Sequence, residues 1–261
     1  MPGVAERILL PKEHGTYGEL LCPMLSALTL ARPGRASWGL AVLALSGFLA
    51  HEGFAVLAGR RGARALRDGR WVAWRSLMTL GVLAAAGAAV AWPALAPEAL
   101  VATGILATLS VAAVSLTWFG REHTLGSELV AALTLSGWCT PIGLAGGLSL
   151  PVAAALWVIW AGVFTVATCA VRAVVTRTAR RPIAPVAALG LIFAAATATP
   201  VALMGDAGYI PGNAGVTLIP AVVMFLVLTI APIHATRLRL IGWVMMGMCL
   251  LTLALVVAVL G

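Results

Sequence analysis

Nine apolar stretches of about 20 residues follow one another along this chain, and each is long enough to cross a bilayer as a helix. They run from Pro11 to about Ala31, Trp38 to Gly59, Trp71 to Trp92, Ala99 to Phe119 and Ser127 to Leu144. The remaining four start at Pro151, Ile183, Val216 and Leu240, the last ending at Leu260. With 61% hydrophobic and 10% charged residues, the 261-residue chain lacks the polar surface that a soluble core of this size needs. The sequence predicts an all-α polytopic integral membrane protein of about nine transmembrane helices. No polar stretch is long enough for a separate soluble domain, so residues 1–261 read as one transmembrane helical domain. The opening Met1-Pro-Gly-Val-Ala-Glu-Arg7 mixes charges and shows no cleavable signal pattern, so the first helix is expected to remain as an anchor.

A net charge of +8 in a soluble protein would suggest nucleic acid. Here the basic residues flank apolar spans, which fits a positive cytoplasmic face and no nucleic-acid partner. With the N-terminus inside, only Arg32 and Arg35 of the 17 Lys and Arg residues fall outside. The expected home is the plasma (inner) membrane, with the N-terminus cytoplasmic. All four histidines (His14, His51, His123 and His234) then gather at the inner face. Glu13, Glu19, Glu52, Glu122 and Glu128 join them there. The stretch Arg60–Arg70 is expected to lie along the lipid headgroups, with Arg60, Arg64 and Arg67 on one face.

The most informative stretch is Phe48-Leu-Ala-His-Glu-Gly-Phe54, which puts an ionisable pair inside an apolar span. Such residues cost free energy in a membrane unless they face a protein interior or a watery cavity, so they mark a functional site. His51 and Glu52 are the candidate catalytic residues. Adjacent helical positions point about 100° apart, so the two are expected to bracket a cavity and reach different helices. His14 and Glu19 of the first span and Arg172 of the sixth are their expected partners. Cutting either residue to Gln is expected to leave folding intact and to abolish activity.

Around that pair, Lys12, Arg60, Arg61, Arg121, Arg172, Arg177 and Arg237 are candidates for binding anionic charge, since a guanidinium fork matches phosphate bidentately. Arg172 stands out because its neighbours in the sixth span are apolar. Glu13, His14, Glu19, His123, Glu128 and His234 complete the candidate ligand-binding set. The same histidines and glutamates suit a divalent metal by donor type. No pair has His-x-x-x-His or Glu-x-x-His spacing, and hydrogen-bonded interfacial histidines account for them better. Metal and cofactor content are left open. Cys22, Cys139, Cys169 and Cys249 stand apart in apolar segments and read as small buried hydrophobes, ahead of disulfides or a thiolate metal site. No Gly-x-Ser-x-Gly or Walker loop is present.

Pro11-Lys-Glu-His-Gly15, together with His51-Glu52-Gly53 and the following Gly59-Arg-Arg-Gly62, resembles the YwiC-like membrane protein family, over essentially the whole chain. The nine-helix layout in turn resembles the UbiA superfamily of intramembrane prenyltransferases, and so implies a UbiA-like bundle. In that superfamily, Asn/Asp-rich motifs after the second and sixth helices hold magnesium and a prenyl diphosphate. The corresponding places here carry His51-Glu52 and Arg172 through Arg177, and Asp68 stands alone near the first. The metal–diphosphate chemistry therefore does not carry over: either the reaction has changed or catalysis has been lost. The leading expectation is a protein that binds an isoprenoid or other lipid-like molecule in a polar pocket open to the cytoplasm. A transferase without the Asp-rich motifs is the reaction this implies. The alternatives are a proton-coupled transporter, in which Glu19, His51 and Glu52 relay protons, and a His/Glu metal-binding membrane protein.

Overall fold

The computed structural model describes residue 9 and residues 14–121 and 124–261, with position 14 described by its backbone alone. The candidates Lys12, Glu13 and His123, and the side chain of His14, lie outside the described residues. Among these residues all regular structure is helical, and the nine expected segments are present in order. They are α1 (His14–Leu30), α2 (Arg35–Leu57), α3 (Ala63–Ala91), α4 (Pro97–Trp118), and a fifth segment in two pieces, α5 (Leu125–Gly137) and α6 (Cys139–Ala145). Then come α7 (Leu150–Thr178), α8 (Ala184–Asp206), α9 (Ile219–Ile230) entered through a 3-10 turn over Ala214–Leu218, and α10 (Leu238–Leu260). Seven of the segments are long and apolar enough to cross a membrane; α1 and the Ala214–Ile230 segment are shorter. The protein is an all-α polytopic integral membrane protein.

Proline opens α4, α7, α8 and α9, where the missing N–H has no intrahelical partner to lose. Glycine closes α2 and α4. Gly59 and Gly120 adopt positive φ, and the next residues bond back across the last turn, Arg60 N–H to Ala55 O and Arg121 N–H to Leu116 O. The basic stretch after α2 differs from expectation. Only residues 58–62 form a turn, and α3 begins at Ala63, so Arg64, Arg67 and Arg70 are exposed on the first turns of a long helix.

The bundle is built around α7. Two-thirds of its apolar window (67%) is inside the protein, against 11% for α4, whose sides are left to lipid. Trp160 of α7 is fully buried, stacks on Phe164 and donates its indole N–H to Ser26 Oγ of α1 at 3.0 Å. The fifth segment breaks at Gly137 and Trp138, four residues before Pro141, which has no N–H to give Gly137 O, and the break is closely packed. A side chain at Gly137 would run into Leu106 of α4 and Trp157 of α7.

The hairpin of α2 and α3 follows a seven-residue rule. A β-carbon on Gly39 would come within 2.6 Å of Gly87 O, and one on Gly53 within 3.0 Å of Ala73 O. Gly39, Ser46 and Gly53 of α2 run at intervals of seven against Gly87, Leu80 and Ala73 of α3, all six being buried. That is the register of an antiparallel supercoiled pair closed by small residues, as membrane helices close where no hydrophobic force joins them. Gly53 therefore turns one side of α2 onto α3, and Glu52 and His51, about 100° and 200° around the helix from it, are turned away.

Candidate functional site

The stretch Phe48–Phe54 presents two faces to two helices. Phe48 and Glu52 lie four apart and so share one face, while His51 and Phe54 lie three apart and share the other. On the first, Phe48 meets the ring of Tyr17 of α1 edge-on at 5.1 Å between centroids, and Tyr17 lies within electrostatic reach of Glu52. On the second, His51 Nε2 is 3.1 Å from Thr117 Oγ1 of α4, and Phe54 packs against Trp118 at 5.9 Å. Among the described residues His51 and Glu52 thus reach different helices, through Thr117 on one side and towards Tyr17 on the other, while the expected partner His14 has its side chain outside them.

Glu52 is bound by Arg61. Its carboxylate accepts from Arg61 Nε at 3.1 and 3.2 Å and from Nη2 at 2.9 Å, a bidentate pair with side-chain exposures of 7% for Glu52 and 27% for Arg61. The turn explains the pairing. Gly59 and Gly62 at positive φ fold the chain back over the end of α2, returning Arg61 to a residue nine positions earlier. Arg172 is not a partner of Glu52. It donates Nε to Glu128 Oε2 at 2.8 Å, and Nη2 to Oε1, across from α7 to the first turn of α5. Glu128 suits that place, where the helix dipole favours a negative charge and Thr124 caps the backbone N–H of Ser127.

The other basic candidates divide by what their guanidinium groups meet. Arg60 donates to Trp118 O at the end of α4 and lies against Gly120, locking the turn after α2 to the turn after α4. Arg177 donates to Leu228 O, Thr229 O and Ala231 O, satisfying the carbonyls that α9 leaves open at its C-terminus. Arg121 is exposed. His234 is exposed and caps a short turn, its Nδ1 accepting from Thr236 N at 3.3 Å. Glu19 lies on α1 within electrostatic reach of Cys249. Among the described residues no three His, Cys, Asp or Glu side chains come together as a metal site.

Two cavities among the described residues lie away from this polar end. One, of about 220 Å³, is an apolar cleft between α7, α8 and α9 lined by Gly162, Thr197 and Val222 among others. The other lies beside Glu98 and Leu148 at the opposite end. At the polar end, the described side chains include two ion pairs, Glu52–Arg61 and Glu128–Arg172, each with its arginine partly accessible. Thr117 and Tyr17 were missed as partners of the His51–Glu52 stretch. Tyr17 carried a signal, as the single aromatic residue of the first apolar span; Thr117 is one of many hydroxyls at helix ends and carried none.

An all-α membrane bundle with its titratable side chains tied together at one end is the class of protein that the fold and site define. The family model described as YwiC-like protein matches residues 10–142, and the chain belongs to that family. The match takes in α1 to α5 and both motifs that carry the resemblance, and it stops short of the whole chain. No curated protein and no solved structure matches the chain.

Proposed function

We propose that the polar end holds the anionic headgroup of an isoprenoid or other lipid-like molecule, and that it faces the cytoplasm of the plasma (inner) membrane. The observation that carries this is the pair of arginines, Arg61 and Arg172, each aimed by a carboxylate while 27% and 29% of its side chain stays accessible. A guanidinium steered by a carboxylate presents a fixed fork, and a fixed fork loses less freedom on binding phosphate than a mobile lysine does. His51, the neighbour of Glu52 on α2, is of the residue type suited to move a proton near neutral pH. Orientation is supported by the arginines: all but Arg32 and Arg35 lie at or near this end, or before the first span. A UbiA-like transferase is the reaction class this reading extends to, supported by the count of nine segments and by polar ends on the second and sixth. The proton-coupled carrier is the second reading, favoured by the break in the fifth segment at Gly137–Trp138.

The test is binding of a polyprenyl diphosphate to the protein in lipid nanodiscs. Arg172→Ala is expected to weaken it about tenfold or more, the scale of one charge-assisted pair, while exposed Arg180→Ala changes it by less than about twofold. Equal losses, or none, would reduce both arginines to membrane anchors.

A further inference from the structure

Small residues let membrane helices close on one another, yet α8 and α9 stand apart along part of their length and leave the cleft of about 220 Å³ between them. On the side nearer the polar end, α8 meets α9 where a β-carbon on Gly190 would come within 2.3 Å of Phe225 Cε2. Seven residues on, α8 is held to α7: a β-carbon on Gly162 would come within 2.3 Å of Thr197 Cγ2. At the far end α8 packs on the 3-10 turn over Ala214–Leu218. The space between these contacts is a window in the side of the bundle. Its back wall is α7, and Ala198, Ile219 and Val223 are exposed on its rim. The Thr197 hydroxyl donates to Phe193 O at 2.8 Å and so is spent within its own helix. At about 1.5 Å per residue, Thr197 is about 14 Å from the end of α8 at Asp206, and Gly162 about 18 Å from the start of α7 at Leu150. The window therefore reaches the middle of a bilayer core about 30 Å thick.

We propose that this window binds one hydrocarbon chain of a bilayer phospholipid, from the leaflet on the side away from the polar end. Chemistry and size select the occupant. Apolar cavities of about 150 Å³ stay dry and take up benzene. On that scale the cleft holds a stretch of about nine carbons, part of one acyl chain. A helix from a second copy or from another protein is about 10–12 Å across and does not fit. The window is also continuous with the surface that meets lipid, since Leu191 and Ile192 of α8 and Val223 and Val227 of α9 are each more than half exposed. Lipid tails are as apolar as the walls, so the chain is held by packing: it supplies the dispersion contacts that an empty void forfeits. The window is separate from the arginines of the polar end. On α7, Gly162, Val163 and Val166 fall within an arc of about 100°, and Arg172 is about 130° round the helix from its centre.

The experiment uses the full chain in nanodiscs of phosphatidylglycerol with a trace of a phosphatidylcholine that carries a diazirine midway along one acyl chain. After irradiation, mass spectrometry should find label on residues 194–198 and 219–223 about tenfold above that on Ile105 of α4. Ile105 is 48% exposed and, like Ala198, lies eight residues from the far end of its helix, away from the window. Ala198→Phe fills the window from its rim and should cut the label at least about fivefold, while Ile192→Phe, on the open side of α8, leaves it unchanged. Ala198→Phe should melt no lower than the unmodified protein, because the ring supplies contacts that the void lacks. Whether or not that variant folds, the labelling pattern of the unmodified protein decides. Label no greater than on Ile105 would overturn the assignment, as would full label in a folded Ala198→Phe. Loss of the label when a polyprenyl diphosphate is added would give the window to that molecule's tail and overturn it too.

Discussion

Replacing Glu52 by Gln removes one charge from the best-buried ion pair among the described residues. The carboxylate keeps 7% of its side-chain surface and takes all its described hydrogen bonds from Arg61. At a separation of about 4 Å and an effective dielectric near 20, the attraction is about 4 kcal/mol, and it offsets the cost of taking the two groups out of water. Removing one partner of a fully buried pair costs about 3–5 kcal/mol. Arg61 is 27% exposed, so water re-solvates part of it, and glutamine still accepts one hydrogen bond. The expected loss is about 2 kcal/mol, or about 4–8 °C in Tm for a chain of this size. This departs from the reading of the sequence alone, which expects Glu52→Gln to leave folding intact; the difference is Arg61. Thermal unfolding in detergent should show the drop, with Asp68→Asn as control, because the pairs of Asp68 with Arg64 and Arg67 are largely exposed and worth less than about 1 kcal/mol. A double-mutant cycle with Arg61→Gln should return a coupling of at least about 1 kcal/mol. If Glu52→Gln melts no lower than Asp68→Asn and the coupling is zero, the pair does not hold the end of α2 to its turn.

Three further outcomes follow from the same geometry. Gly39→Ala should destabilise by about 1–3 kcal/mol, since the obstacle at 2.6 Å is backbone that cannot step aside, while Gly47→Ala, with open space around it, should stabilise the exposed face of α2; equal melting temperatures would sink the seven-residue register. Arg177→Ala should lower Tm more than Arg180→Ala, because only Arg177 satisfies the end of α9; the same thermal scan ranks them. Reporter fusions truncated after Arg181 should report the cytoplasm and those after Gly212 the exterior, and a cytoplasmic signal at Gly212 would remove one crossing between them.

The nine segments were legible because a hydrophobic run of bilayer length admits one backbone solution, a helix with all its polar groups satisfied internally. What length cannot reveal is where a helix yields to its neighbours. At Gly137 the sequence does carry a local mark, Pro141 four residues on, but nothing in it shows Leu106 and Trp157, which pack on Gly137 from two other segments. The His51–Glu52 stretch was legible as an anomaly, and adjacent positions on a helix had to diverge. Its partners were hidden because Arg61 returns only through two glycines at positive φ, and because Thr117 arrives on a helix more than sixty residues away. The packing of α1 against α10 shows the limit most clearly, because no local pattern pairs the first segment with the last.

The arginines explain why a charge count orients a membrane protein better than it locates a site. Helices α2, α4, α7 and α9 all end at the polar face, each offering carbonyl oxygens that need donors and the negative end of a helix dipole. Arg60 and Arg177 spend their guanidinium groups on those carbonyls, at α4 and α9. Arg64, Arg67 and Arg70 stay exposed for the headgroups. Arg61 and Arg172 are set apart by the acids that meet them, Glu52 and Glu128; the apolar neighbours of Arg172 mark it in the sequence, and nothing there marks Arg61. A carboxylate drawn into a face already rich in cations makes that face less positive and so weakens its hold on an anionic bilayer. Membrane anchoring gives no reason to place one there. Holding and steering a guanidinium does, so under the proposed function the two glutamates, more than the many arginines, mark where the headgroup would be held.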